Sequence, residues 1–352
     1  MKYLGGQDLR RALTPHGWWR LRPVDGPVGV SALRAMTGAN IVLVAVVLAG
    51  HTALAPAAAF GGMTAVHARF EPYPVRARML ATIGSGLVLA VALGGVAAAA
   101  GWGPVPVTVL VACVAAAAKL LTDAIGSGPP GGLIFVFATG TTAVLPADWG
   151  TAGVQVAVAA AGALVAWFVA HVGWLFSREE HEKPAAWQLR PALSRSSHEL
   201  PRAAKVGVAV LIAGLVADLL SLGHPYWAMI AAAAVLQSTH LRHTLHRTIQ
   251  RVIGTLAGVV IAWLLLALDM PTPVKLAVIV VALLCAELTV VRNYALAMLF
   301  VTPLTLLLGS LISTASAAGM ASDRLLDTVL GAVIGLGAAL VRPGRGYHLA
   351  AA

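Results

Sequence analysis

Charge is what this sequence has least of. Only 11% of its 352 residues are Asp, Glu, Lys or Arg, whereas 59% are apolar; soluble globular domains carry about 25% charged residues. That composition excludes an ordinary soluble protein. Cysteine is almost missing as well. Cys113 and Cys285 both fall inside apolar runs, which leaves no disulfide framework and no cysteine metal cluster. No G-x-x-x-x-G-K-[ST] phosphate loop occurs, and the glycines Gly126, Gly128, Gly131 and Gly132 belong to a turn between apolar runs. This speaks against a primary ATP-driven pump. No arrangement of nucleophile and base and no set of metal ligands emerges either, so the expectation is a protein that is not an enzyme and carries no cofactor. Ahead of the first long apolar run there is no short apolar core with a small-residue cleavage site. The first 30 residues, with Lys2, Arg10, Arg11, Arg20 and Arg22 around Trp18 and Trp19, read as a retained cytoplasmic arm lying at the headgroups.

Long apolar runs are what the chain has in abundance. They lie at roughly 31–50, 52–67, 79–100, 104–123, 131–146 and 151–176, and then, past a polar stretch, at 203–222, 225–239, 249–268, 273–291, 294–312 and 325–341. With about 20 residues per crossing, this predicts an all-α polytopic membrane protein of about 12 transmembrane helices. The runs at 52–67 and 131–146 are short for a full span, as broken or partly re-entrant segments are. Positive residues in short loops stay cytoplasmic. If the chain enters from inside, every Lys and Arg except Lys275 and Arg324 falls on the cytoplasmic side, while the opposite turns carry Asp148, Asp269 and Asp323. The net charge of +10 is therefore a topology signal rather than a nucleic-acid footprint. It places both termini in the cytoplasm of a multi-pass protein whose first partner is the lipid bilayer.

The landmarks repeat. Gly50-His51 and His67-Ala68-Arg69 return at the same interval as Gly223-His224 and His240-Leu241-Arg242. Ile83-Gly84-Ser85 returns as Ile253-Gly254-Thr255, and the stretch from Phe137 to Thr142 returns as that from Phe300 to Thr305. Because six is even, each half enters from the same side, so the repeats are expected to be parallel. The resulting organisation is a basic arm (1–30), a first six-helix repeat (31–177), a cytoplasmic linker (178–202), a second six-helix repeat (203–341) and a cytoplasmic tail (342–352).

The second half carries a family pattern. His224-Pro225-Tyr226-Trp227-Ala228-Met229, Val235-Leu236-Gln237, Arg247, the run Arg251-Val252-Ile253-Gly254-Thr255, Arg292-Asn293-Tyr294 and Phe300-Val301-Thr302-Pro303 together resemble the fusaric acid resistance (FUSC) and aromatic acid exporter family. The resemblance is strong over about 203–311 and weaker in the first half, where Ala81 stands in the place of Arg251. It implies a bacterial inner-membrane exporter of small, typically aromatic, organic acids, driven by the proton gradient. Two alternatives stay open beside it. One is an anion channel on the same scaffold. The other is a non-transporting membrane subunit, suggested by the shortness of the 178–202 stretch where many relatives place a large cytoplasmic domain. A homo-oligomer, or a periplasmic or cytoplasmic accessory subunit, are the partners this leaves open.

Ionisable residues at membrane depth are costly to bury unpaired and so mark function. Asp123, four residues after Lys119, and Glu287 stand at near-equivalent places in the two halves and are candidates for proton coupling; the plainer reading is that each ends its helix at the interface. His51 and His224, at the outer end of the first helix in each half, are proton-relay candidates for the same reason, or else helix-end residues bonded to a free carbonyl. Arg76, Arg78, Arg242, Arg247 and Arg251 are candidates for a basic vestibule that concentrates organic anions, or else obey the positive-inside rule. Histidines spaced along His240 to His246 have no carboxylate or cysteine to complete a zinc site. Finally, Thr139-Gly140-Thr141-Thr142 and Thr302-Pro303 interrupt membrane segments at matching positions, and such breaks mark binding sites. Thr139, Thr142, Thr302 and Thr305, with Phe137, Phe300, Tyr226 and Trp227, are therefore the candidate substrate pathway. Gly84, Gly86, Gly254 and Gly258 are read as close-packing positions.

Overall fold

The computed structural model describes residues 23–24, 26–176, 199–237, 241–312 and 316–341, with main chain alone at 241–243. Most of the basic arm and of the linker, the tail and His240 lie outside the described residues. Among the described residues there are twelve α-helices and no strand. In the first half these are α1 (Val28–Leu48), α2 (Ala55–Gly62), α3 (Tyr73–Ala99), α4 (Pro104–Ala124), α5 (Leu133–Val144) and α6 (Trp149–Val172). The second half contains α7 (Glu199–Leu219), α8 (Pro225–Val235), α9 (Leu241–Ala267), α10 (Thr272–Val290), α11 (Tyr294–Ser310) and α12 (Ala317–Leu340).

Caps fix several of these ends. The Asp148 carboxylate accepts from the Thr151 amide at 2.7 Å to start α6, Asn293 accepts from the amides of Ala295 and Leu296 to start α11, and Ser316 accepts from the Gly319 amide at 3.1 Å to start α12. Proline in the first turn opens α2, α3, α4, α8 and α10, where its missing N–H is no loss.

The helices are not twelve equal crossings. Seven are long and apolar enough to span a bilayer, whereas the apolar helical segments Thr52–Val66, Leu133–Val144, Pro225–Val235 and Tyr294–Ser310 are shorter. An 11-residue helix such as α8 rises only about 16 Å, roughly half a hydrocarbon core. These short pieces are the second and fifth helices of each half. All of α2 is buried, and so is α8 from Trp227 to Val235. A helix that is apolar all round belongs inside, and here the long helices wrap it. Large side chains on those long helices, among them Leu89, Leu164, Phe168, Val208, Val260 and Val281, point outward, as a lipid-facing surface requires.

Lipid is as apolar as leucine, so packing rather than the hydrophobic effect holds such helices together, and small residues let backbones approach. A Cβ on Gly61 or Gly162 would meet the backbone across the α2–α6 contact, and one on Gly331 would overlap the Ala228 carbonyl across the α8–α12 contact. Gly254 and Gly258 bring α9 against α11 in the same way, whereas Gly84 and Gly86 face Thr64 and Phe135 side chains.

The helix pairs of one half recur in the other. α1–α2, α1–α6, α2–α6, α3–α5, α3–α6 and α4–α5 have as counterparts α7–α8, α7–α12, α8–α12, α9–α11, α9–α12 and α10–α11. Between the halves, α4 packs on α7 and α10 packs on α1, which are also counterparts. The turns α2–α3, α4–α5, α8–α9 and α10–α11 gather at one end of the bundle, called the vestibule end below; the turns α1–α2, α7–α8 and α11–α12 are at the far end.

Candidate functional site

At the vestibule end lies an open cavity of about 580 Å³. Its floor is the α4–α5 turn, in which Gly126, Gly128 and Gly131 take positive φ and so turn the chain back sharply. The carbonyls of that turn are held from both halves. Arg69 Nη1 donates to Pro129 O at 2.7 Å, Gln237 Nε2 donates to Pro130 O at 2.6 Å, and His67 Nε2 lies 3.3 Å from Gly131 O. Lys119, Arg247 and Arg292 bring further positive charge to the wall, with Asp123, Glu71, His246, Tyr294 and Phe70 also lining it.

Two ion pairs frame the cavity. Lys119 Nζ reaches both oxygens of Asp123 at 2.6 Å, one turn apart on α4. Arg69, on the turn after α2, donates from Nη2 to Glu287 Oε2 of α10 at 2.7 Å, and both side chains are buried. Asp123 and Glu287, chosen from their equivalent sequence positions, thus meet cations from different sources: Asp123 within its own helix, Glu287 from the other half.

Of the five arginines expected to form the vestibule, Arg247 lines it, donating to Gln237 Oε1 at 3.1 Å with its guanidinium 4.2 Å from the Tyr294 ring centre. Arg251 stands deeper, buried, donating to the Tyr294 hydroxyl at 2.6 Å. Arg76 is not on the cavity wall. It is buried in α3, where it donates to Glu71 O at 2.6 Å and Ala170 O at 3.3 Å and so anchors α3 to α6. Arg78 is exposed on α3. The Arg242 side chain lies outside the described residues.

The pathway candidates are placed as follows. Phe137 and Thr305 line a small gap of about 20 Å³ between the halves, walled by α1, α2, α5, α10 and α11; that is room for about one water. Phe137 continues an aromatic series, with ring centres 5.1 Å from Phe60 and 6.4 Å from Tyr226. Trp227 is buried beside Tyr226 and Phe300 is half-buried. The threonines are spent on backbone: Thr139 donates to Ala90 O at 3.1 Å, Thr142 to Ala138 O at 2.7 Å and Thr305 to Thr302 O at 3.0 Å. Thr302 alone of the four is buried with its hydroxyl unbonded, beside Pro303, which removes one helix hydrogen bond of α11.

The two histidines part company. His51 is exposed at the far end, before the turn into α2. His224 lies 3.1 Å through Nδ1 from Asp323 Oδ2 and stacks on Trp227 at 4.2 Å between centres. The lysine and arginine count placed Arg324 in an outer turn, and the structure corrects this: Arg324 is 2% exposed, in the second turn of α12, with its guanidinium 5.1 Å from the Trp227 ring centre. Asp327, one turn further in, is fully buried. Both were missed as site residues, although the span expected at 325–341 already contained Asp327. Arg69 was seen only as a repeat landmark, since its partner Glu287 is 218 residues away.

Among the described residues no group of three or more His, Cys, Asp or Glu side chains is placed to hold a metal ion.

An all-helical bundle in which, among the described residues, seven helices are long and apolar enough to span a bilayer, with an apolar outer surface and buried charge, defines a polytopic membrane protein. Residues 211–338, almost the whole second half and all of the motifs from His224 to Pro303, match the family model described as Fusaric acid resistance protein-like. The chain is 39% identical over 150 residues to "Uncharacterized membrane protein YvaC" of Bacillus subtilis (strain 168), an alignment covering 42% of this chain and 24% of that protein. It is 26% identical over 163 residues to "Uncharacterized protein YhfK" of Escherichia coli (strain K12), covering 46% of this chain and 23% of that protein. The chain thus spans about a quarter of the length of each of these relatives. No solved structure matches it.

Proposed function

We propose that the protein is a secondary transporter that exports small, aromatic organic acids across a bacterial cytoplasmic membrane, coupled to protons. The observation that carries this reading is the cavity of about 580 Å³ at one end of the bundle, where Arg69, Lys119, Arg247 and Arg292 outnumber Asp123, Glu71 and the Arg69 partner Glu287. Such a wall draws anions from solution. Tyr294 and Phe70 add aromatic surface beside those charges, which suits a ring carrying a carboxylate. The basic loops support a cytoplasmic position for this end and for both termini. Leaving a negative-inside cell then favours a monovalent anion by about 2.3 kcal/mol per 100 mV. Coupling to protons adds to that drive, with Asp123 on the cavity wall and Glu287, paired to the lining Arg69, as the carboxylates proposed to exchange them.

The test is accumulation of radiolabelled 4-hydroxybenzoate and a panel of aromatic acids in inside-out vesicles, with and without an imposed proton gradient, for wild type, Asp123→Asn and Glu287→Gln. Gradient-dependent accumulation, lost in either variant, is the expected result. Flux that follows voltage alone would mean an anion channel, and no flux of any acid would mean a subunit that does not transport by itself.

A further inference from the structure

The strongest unexplained feature is buried charge on α12. Among residues 317–340, Asp323, Arg324 and Asp327 carry all the charge, and they occupy successive turns near the far end. Neither oxygen of Asp327 has a hydrogen-bond partner, nor do Nε and Nη1 of Arg324 or the hydroxyl of Thr328 next in sequence. Buried carboxylates are ordinarily hydrogen-bonded, paired or neutral. Arg324 lies three residues away on the same helix, close enough to act electrostatically on Asp327 but not bonded to it. The group therefore has two states within reach. It is a neutral acid, or an anion matched electrostatically by the Arg324 guanidinium.

A polar route meets it from each side. Towards the far end, Asp323 is one turn away, paired with His224 at 3.1 Å, and both side chains remain about a quarter exposed. Gly223 leaves room there, since a Cβ on it would collide with the Asp323 carboxylate. Towards the vestibule, Arg324 is within electrostatic reach of Tyr226 on α8, Arg251 on α9 and Tyr294 on α11. Tyr294 in turn lines the open cavity. The remaining helix packed on α12 is α7. Its Asp218 is bonded to Thr108 of α4 at 3.2 Å, and Glu199, Arg202 and Lys205 lie at its opposite end. The counterpart helix α6 has no Asp, Glu, Lys or Arg at all, so the route belongs to the second half.

We propose that Asp327 is a proton-binding site within the membrane, loaded from the far end through the His224–Asp323 pair and unloaded towards Arg251, Tyr294 and the vestibule. In the loading step the N–H bond of a His224 imidazolium breaks as an O–H bond forms on Asp323, and that O–H bond then breaks as one forms on Asp327; in unloading the Asp327 O–H bond breaks, the proton is taken up by water on the vestibule side and the carboxylate is left facing Arg324. Water is the only other reactant. The use of this proton to drive organic-acid export rests on the transport reading above, while the binding site itself does not.

Infrared difference spectroscopy of the full chain in lipid nanodiscs, stepped in pH in light and heavy water, reads the carboxylic-acid C=O stretch directly. One such band, shifting in heavy water, should titrate in wild type, in Asp123→Asn and in Glu287→Gln, and should vanish in Asp327→Asn. In His224→Ala its titration midpoint should move. A band unchanged in Asp327→Asn, or one lost in Glu287→Gln instead, would overturn the proposal. If Asp327→Asn is not recovered folded, Asp327→Glu must shift the band's frequency, and an unmoved band counts equally against it. Absence of acid transport in vesicles alongside an Asp327 band would defeat the transport reading and leave the proton site standing.

Discussion

In the first half the charges stay near the rim: Lys119 and Asp123 pair within α4 at the cavity wall, and Arg76 is tied down by backbone carbonyls at the base of α3. In the second half Arg251, Arg324 and Asp327 are buried among Tyr226, Trp227 and Tyr294. The helix pairs nevertheless match between the halves. One packing plan therefore supports two different interiors: both bury polar side chains, but among the described residues only the second buries carboxylates, Glu287 and Asp327, together with Arg251 and Arg324. Small residues at the contacts make the plan, since they set backbone approach, and they leave the remaining positions free to differ. The matched family segment, 211–338, covers the half that buries Glu287 and Asp327.

The sharpest way to separate the halves is to cut the pair that joins them. Arg69→Ala leaves Glu287 buried without its cation, and breaking a buried pair from one side costs about 3–5 kcal/mol. Lys119→Ala releases a pair that is 13% and 25% exposed, for which about 0.2–1 kcal/mol is expected. Thermal unfolding in detergent should show the first and barely register the second, and the double variant Arg69→Ala/Glu287→Ala should recover most of the loss. Equal losses for Arg69→Ala and Lys119→Ala would mean that the halves are not held by this contact.

The shared plan is broken at its glycines. Gly331→Ala drives a methyl into the Ala228 carbonyl and Gly162→Ala drives one against Ala58 O and Gly62 N at 2.9 Å. Each should cost about 1–3 kcal/mol of overpacking, with Gly331 the larger because its contact is closer. Gly337, on the same helix with no atom within 4 Å of the added carbon, should accept alanine without loss. A stable Gly331→Ala would remove the close α8–α12 approach from the account.

Much of this was legible beforehand. Runs of about 20 apolar residues name their own helices, and the second and fifth of the first half already looked short at 52–67 and 131–146, although their counterparts at 225–239 and 294–312 were not singled out. Their true lengths were hidden, because apolar periodicity does not separate a short helix that is buried all round from a full span. The motif positions Arg247, Asp123 and Tyr294 did reach the cavity. Arg76 did not, since a basic residue before an apolar run reads the same whether it faces solvent or bonds a carbonyl. Arg69 and Gln237 acquire their roles from partners more than a hundred residues away in sequence, which no local pattern reports. Arg324 was misplaced by a rule that assigns cations to loops; its shelter beside Trp227 is a tertiary fact.

The interior that buries carboxylates can be compared with the other a single bond at a time. Tyr294→Phe removes the acceptor that Arg251 Nη1 meets at 2.6 Å and leaves a buried charged donor unmatched, which costs about 1–3 kcal/mol. In the first half Thr139→Val removes the bond from α5 to Ala90 O of α3 at 3.1 Å. Interhelical bonds of that kind average about 0.6 kcal/mol in membrane proteins. The ratio of the two losses, read from denaturation in matched detergent, measures how much more the second half depends on polar contacts.

The smallest expected effect separates the halves by pH. α6 begins on the Asp148 carboxylate and its counterpart α12 begins on the Ser316 hydroxyl. The Thr151 side chain and amide, both bonding Asp148, hold its carboxyl below the ordinary value of 3.8. A carboxyl lowered in the folded state adds stability that is fully present above its unfolded value and is lost as pH falls through the folded one. The α6 cap should therefore weaken only in acid, below about pH 4, while the serine cap of α12 does not titrate. Exchanging them tests this without touching either interior: Asp148→Ser should narrow the difference in melting temperature between pH 7 and pH 3 relative to wild type, and Ser316→Asp should widen it. If Asp148→Ser leaves that difference as it was, the acid response of the bundle comes from other carboxylates, and the two helix starts are equivalent in energy as well as in position.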